Sequence, residues 1–243
     1  MPNEPSRSER KHPCERCPLL RRKSFRDFTG DELSFVSSFK RGELLVDKGA
    51  SVLCEGTRTP HLYTVLDGWG FRYKLLPDGR RQIVNYVMPG DLVGLQGMLM
   101  EEMQHSIETL SPMTLCVFER GELMSLYRKH AELAYDVTWL ASREECMLDE
   151  NLLSIGRRSA PERLAYLIAF LVGRARASGL ISDNAVPRLA ITQQHVADTL
   201  GLSLVHTNKT VRRLSEKKLL RWKDGGCEVL DVDGLIELAR WEG

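Results

Sequence analysis

Along the first half of the chain, apolar residues come in short runs separated by turn residues. The runs at 43–46, 61–66, 71–75, 82–87 and 115–118 have strand length and are rich in Val, Ile, Leu, Tyr and Phe. Between them, Leu76-Pro77-Asp78-Gly79 and Met88-Pro89-Gly90-Asp91 put proline where φ is preset and glycine where a positive φ is tolerated. Many short strands joined this way predict a small antiparallel barrel or roll. After Gly121 the period changes. Leu133, Val137 and Leu140, then Leu148, Leu152 and Ile155, recur at helical spacing and predict one long helix over 121–156. Its apolar stripe, broken at Glu144 and Glu145, fits a helix that packs on its own domain at one end and on a second copy at the other. An ordinary amphipathic surface helix is the alternative. Gly156 ends the stretch, and Ser159-Ala160-Pro161-Glu162 opens the next helix with a capping box.

The last third carries a helix-turn-helix pattern. Thr192 is a fitting N-cap for a short helix that buries Val196, Ala197 and Leu200. Gly201 suits a left-handed turn, and Ser203 caps a second helix with Val205, Val211 and Leu214 as its expected buried positions. The other face of that helix holds His206, Asn208, Lys209, Arg212 and Arg213, donors for phosphate oxygens and base edges. Thr192, Gln193, Ser203 and Lys217 complete the candidate DNA-contacting set. Residues 219–223 and 227–230 then read as two strands around an Asp224-Gly225-Gly226 link, which is a wing.

Composition locates this chemistry without adding to it. The 243 residues suffice for two domains, and 34 Lys+Arg against 33 Asp+Glu give no global basic character. Within 203–223, however, Lys209, Arg212, Arg213, Lys217, Lys218, Arg221 and Lys223 face the single acid Glu216. The polar N-terminus lacks a signal-peptide core, and no run reaches the roughly 18 apolar residues of a membrane span. A cytoplasmic protein without a membrane partner is expected. The six cysteines then read as thiols, metal ligands or redox sensors rather than a disulfide framework. No nucleophile elbow, P-loop, dinucleotide fingerprint or zinc-protease helix appears, so an enzyme is not expected.

With these elements in order, the chain resembles the CRP/FNR family of bacterial transcription regulators. The resemblance is carried by Gly68-Trp69, Phe71-Arg72-Tyr73, Asp78-Gly79-Arg80-Arg81-Gln82-Ile83, Pro89-Gly90-Asp91-Leu92-Val93-Gly94, the stretch from Arg157 to Leu164, and Leu200-Gly201-Leu202-Ser203 with His206, Asn208 and Lys209. It implies an α+β chain with an N-terminal extension over 1–26, a cyclic-nucleotide-binding-like β-roll sensor domain over 27–120, a long dimerisation helix over 121–156, and a winged helix-turn-helix over 157–243. It also implies a homodimer on a pseudo-palindromic operator in double-stranded DNA, in contact with RNA polymerase. Val205, Asn208 and Lys209 fall where the FNR-like branch carries Glu, Ser and Arg, so the usual FNR half-site is not expected.

For the signal, the resemblance points away from cAMP. Leu95 stands where a glutamate would hold the ribose, and His105-Ser106 where Arg-Ser would hold the cyclic phosphate. A ligand-binding module of cyclic-nucleotide type with secondary DNA binding is the alternative reading of the chain. Cys14, Cys17 and Cys116 match three ligands of the FNR-like iron-sulfur cluster, whose remaining N-terminal cysteine would fall at Lys23. Cys54 or His12 would have to supply the fourth ligand of such an oxygen or redox sensor. A redox-active thiol pair, a zinc site and plain packing cysteines stay open beside it. Cys146 and Cys227 read as packing residues, although a wing thiol, if exposed, could block DNA binding when oxidised.

Overall fold

The computed structural model describes residues 12–21 and 26–242, so Lys23 lies outside the described residues. The chain separates into two compact units, the first running up to Gly70 and resuming over Val87–Arg143, the second made of Phe71–Tyr86 and everything from Glu144 onward.

In the first unit, helix α1 (Gly30–Phe39) leads into strands β1 (Lys40–Val46), β2 (Ser51–Leu53) and β3 (His61–Asp67). Then come β6 (Leu92–Val93), α2 (Leu95–Leu99), β7 (Ser106–Thr109), β8 (Met113–Glu119), α3 (Leu123–Lys129) and the start of α4 (Ala131–Arg157). One antiparallel sheet has the order β1-β8-β3-β6, and β2 pairs with β7. Because successive strand residues face opposite sides, β3 and β8 serve two cores. Leu62, Leu66, Cys116 and Phe118 join Leu19, Phe39, Leu126 and Leu133 on one side, while Tyr63, Val65, Met113 and Leu115 join Val87 and Ile107 on the other. Gly68 is obligatory between them, since its φ is +77° and a Cβ there would run into the carbonyl of Pro112.

The sequence reading anticipated β1, β3 and β8 but not β2, β6, β7, α1 or α2. It also ran one helix from 121 through 156, whereas the chain makes α3, breaks at His130 (φ −133°, ψ 82°) and restarts as α4. The break lets the apolar sides of both segments, Leu123 and Leu126 and then Leu133 and Ala134, enter the same core. Gly156 does not end α4, which continues to Arg157.

The Arg26 guanidinium bridges Glu32 (2.6 Å) and Asp136 on α4 (2.9 Å), and Glu32 also accepts from the Thr29 N–H that it caps (2.7 Å). Led by the bond to Arg26, these contacts depress the Glu32 carboxyl from 4.5 to about 2. Its stabilisation is therefore complete above the ordinary carboxylate range and is lost as pH falls from 4.5 towards 2. Glu32→Gln should flatten the acid limb of a plot of stability against pH, read by urea unfolding. An acid limb identical to the wild type would remove Glu32 from the account.

The second unit holds the hairpin of β4 (Gly70–Leu75) and β5 (Arg81–Val87), the later part of α4, and α5 (Ala160–Ala177). It continues through β9 (Arg188–Leu189), α6 (Gln193–Leu200), α7 (Leu204–Glu216), β10 (Leu220–Lys223), β11 (Gly226–Val229) and α8 (Val232–Ala239). Both predicted turns form. Gly79 (φ +84°) follows a turn in which its N–H reaches Leu76 O (2.9 Å), and Asp91 N–H, after Gly90 (φ +94°), reaches Met88 O (3.0 Å). As expected, α5 opens with Glu162 accepting from both the N–H and the Oγ of Ser159 (2.7 Å each). It is buried from Leu164 through Val172 and packs against α7 and α8. The wing link is shorter than predicted. Gly226 pairs with Lys223 inside the ladder, leaving Asp224 (φ +49°) and Gly225 (φ +71°) as a two-residue turn, and two positive φ values mark the hairpin turn that matches strand twist. β9 adds a third strand to the wing sheet.

Candidate nucleic-acid interface

Helix α6 begins where the sequence puts it, with Thr192 Oγ1 accepting from His195 N–H (3.1 Å), and ends on Gly201 in the left-handed region (φ +64°, ψ 35°). Ser203 Oγ accepts from His206 N–H (3.2 Å) and starts α7. Losing either cap leaves helix N–H groups without that acceptor, so Thr192→Ala and Ser203→Ala should each cost about 1 kcal/mol of stability in urea unfolding. A loss under ~0.3 kcal/mol would show that the caps are not needed.

Thr207, Thr210, Val211 and Leu214 form the buried stripe of α7. The expected burial of Val205 is corrected, for it is 66% exposed. At about 100° per residue Val205 lies roughly 120° around the helix from Val211, off the stripe and on the side of Asn208, Lys209 and Arg212. That face is exposed, as are His206 and Arg213. Arg212 holds Glu216 one turn on (3.0 Å), a solvent-exposed pair that a phosphate can replace at little cost. Lys217, just past α7, is also exposed. Thr192 is exposed at its cap and Gln193 half-buried in the first turn of α6. Cys227 is fully buried in the wing, and burial pushes its thiol up to about 12, so it packs and does not react.

A group that the sequence reading missed holds α6 from behind. Arg81 in the β4–β5 hairpin bonds Asp198 (2.8 Å), Gln82 Nε2 donates to Thr199 O (2.8 Å), and the buried Tyr86 hydroxyl meets Thr199 Oγ1 (2.9 Å). The Arg81 guanidinium also stacks over Phe71 (5.0 Å), whose ring lies 5.2 Å from His195. Arg80-Arg81-Gln82 were visible in the sequence, but nothing local indicated partners more than a hundred residues away.

Cys14, Cys17 and Cys116 lie in the first unit, apart in the chain from the exposed face of α7. Cys14 opens one turn of 3-10 helix (Cys14–Arg16), and the Cys17 N–H closes it on Cys14 O (3.2 Å). Cys116 on β8 is paired in register with Glu43 on β1. Beside them the Lys40 ammonium, 1% exposed, donates to Glu43 Oε1 (2.7 Å) and to His12 O (2.8 Å). Burial pushes the Cys14 thiol up and raises Cys116 to about 12, the Lys40 charge only partly opposing this. Burial works against the charge on Lys40 too, yet the bond to Glu43 and the neighbouring Cys116 hold its proton more firmly than usual. Among the described residues no three His, Cys, Asp or Glu side chains converge as metal ligands. The proposed fourth ligand Cys54 is exposed beyond β2, with its Sγ on Ser51 Oγ (3.3 Å), and His12 is bound to Glu43 through its N–H and Nδ1 (3.0 and 3.1 Å).

At the positions that the resemblance gives to cAMP contacts, the chain carries Leu95 and His105-Ser106. Leu95 packs against the apolar core, and Ser106 Oγ is taken up by the Glu55 N–H (3.0 Å).

Comparison with known proteins agrees with this architecture. Residues 43–130 match the cyclic nucleotide-binding domain, and residues 162–238 the Crp-like helix-turn-helix domain. The chain is 33% identical over 179 residues to the transcriptional activatory protein AadR of Rhodopseudomonas palustris, covering 73% of each. It is 33% identical over 192 residues to the nitrogen fixation regulation protein FixK of Bradyrhizobium diazoefficiens, covering 79% of each. The solved structure of FixK2 from Bradyrhizobium japonicum shares the fold with a TM-score of 0.68 at 23% identity, over 81% of this chain and 96% of that one. The chain belongs to the CRP/FNR family of transcription regulators. It is a DNA-binding transcription regulator. No helix among the described residues is long and apolar enough to cross a membrane.

Proposed function

We propose that the protein is a homodimeric, cytoplasmic activator of transcription that reads a pseudo-palindromic operator with α7 and contacts RNA polymerase from that site, under control of redox state. The observation that carries the reading is the exposed face of α7. Val205, Asn208, Lys209 and Arg212 stand together above a buried Thr/Val/Leu stripe, on a helix whose N-terminus is capped and braced by α6. Asn208 suits an adenine edge, Lys209 a guanine edge, and Val205 a thymine methyl. Arg213 and Lys217, with Thr192 and Gln193 at the start of α6, supply phosphate contacts that fix register. Support for the dimer comes from α4, which leaves Tyr135 (66%), Trp139 (46%) and Leu153 (47%) exposed at helical spacing, a stripe that a second α4 would cover. Support for activation comes from the relative AadR, whose name describes a transcriptional activatory protein.

Selection of bound sequences from a random duplex pool by the full-length protein tests this directly. Two inverted half-sites with centres about 10 base pairs apart, one helical turn, are expected. A single asymmetric site bound by a monomer would overturn the dimer reading.

A further inference from the structure

Three of the four thiols of the first unit, Cys14, Cys17 and Cys116, have no part in the DNA-reading machinery, and the spacing of the first two suits reversible oxidation. We infer that Cys14 and Cys17 form a dithiol–disulfide pair in which Cys17 is the sulfur attacked by a hydroperoxide and Cys14 the one that resolves it. The inference rests on the redox reading above only for its consequence at DNA.

Three features of the site support the pair. A 3-10 turn nearly eclipses residues i and i+3 and keeps their Cα atoms within about 7 Å, inside the span of a disulfide. Cys14 and Cys17 are those two residues, and the turn is closed by the bond from Cys17 N–H to Cys14 O. Access differs in the required sense, for Cys17 is half-buried where Cys14 and Cys116 are buried. The buried Lys40 ammonium lies beside Cys14 and partly opposes the burial of that thiol, which favours the thiolate that resolves the sulfenic acid. Plain packing explains Cys116, which is fixed in β8 and enters the apolar core. It does not explain a C-x2-C turn beside a buried cation.

The chemistry balances. The Cys17 thiolate displaces hydroxide from hydrogen peroxide and becomes a sulfenic acid. The Cys14 sulfur attacks it, the S–S bond forms, and the sulfenic oxygen leaves as water. In sum two thiols give up two hydrogens and one peroxide becomes two waters, while a small thiol such as glutathione reverses the change by exchange. A path to the rest of the unit is present. Leu19, two residues beyond Cys17, is buried with Leu133 and Ala134 of α4, so a strained or displaced turn is felt where that helix starts.

The test uses full-length reduced protein carrying Cys54→Ser and Cys146→Ser, which removes the two exposed thiols. Equimolar hydrogen peroxide, alkylation and peptide mapping should show Cys14 joined to Cys17, reversibly with dithiothreitol. Cys14→Ser should stop at a sulfenic acid on Cys17 that dimedone traps, Cys17→Ser should slow peroxide consumption several-fold, and Cys116→Ser should leave the disulfide unchanged. Free Cys14 and Cys17 after peroxide, or Cys17 joined to Cys116, would overturn the inference. Operator affinity of the two forms is a separate readout. A several-fold change ties the pair to regulation, whereas equal affinity with the disulfide formed keeps the pair and overturns redox control.

Discussion

Lys40→Ala should destabilise the first unit by about 3 to 5 kcal/mol, the range for removing one partner of a buried ion pair. Lys40 and Glu43 are 1% and 6% exposed, with 2.7 Å between Nζ and Oε1. Truncating the lysine leaves a buried carboxylate with only the partly exposed His12 to hold it, and leaves the His12 carbonyl without its ammonium donor. The double variant Lys40→Met/Glu43→Leu should recover most of the loss, because a well-packed apolar pair replaces a desolvated ionic one at little net cost. Urea unfolding with an unchanged m-value reads both. A Lys40→Ala loss below ~1 kcal/mol would mean that water reaches the carboxylate and that Lys40 is not the keystone of the cysteine end of the roll.

The second large effect is at DNA. Lys209→Ala and Asn208→Ala should each weaken binding to the selected operator by about 1 to 3 kcal/mol, or roughly 5- to 150-fold, and relax the sequence preference at one base step. Lys217→Ala should behave differently. It should weaken all duplexes alike and lower the slope of log K against log salt by about 0.9, the signature of one lost phosphate contact. Val205→Ser should lose preference for thymine with little change in the salt slope. If Lys209→Ala and Asn208→Ala bind the operator as the wild type does, α7 is docked on another face.

Much of this was legible from spacing alone. The Thr192 and Ser203 caps, the left-handed Gly201 and the Ser159–Glu162 box are local chemistry, and each forms as read. The errors have equally physical causes. Val205 was phased into the core because it is apolar, and the helix start at Leu204 puts Thr207 and Thr210 on the stripe instead. β6 and β9 have only two residues each, too few for alternation to show. The break at His130 is invisible to a period count, since apolar positions continue on both sides of it. The wing turn was read one residue too long because Gly226 resembles turn chemistry yet pairs with Lys223. The clasp of Arg81 on Asp198 joins residues 117 apart, and the Lys40–Glu43–His12 group needs the β1–β8 register. Neither is written in any local pattern.

The central claim is that α7 reads DNA sequence, and its most direct measurement is the affinity of the full-length protein for its selected operator against a scrambled duplex of equal length. The measurement is made at physiological salt, with the protein reduced and oxidised. The account predicts a ratio of about 10³ or more in at least one redox state, falling sharply in Lys209→Ala. Equal affinity for both duplexes in both states would contradict it.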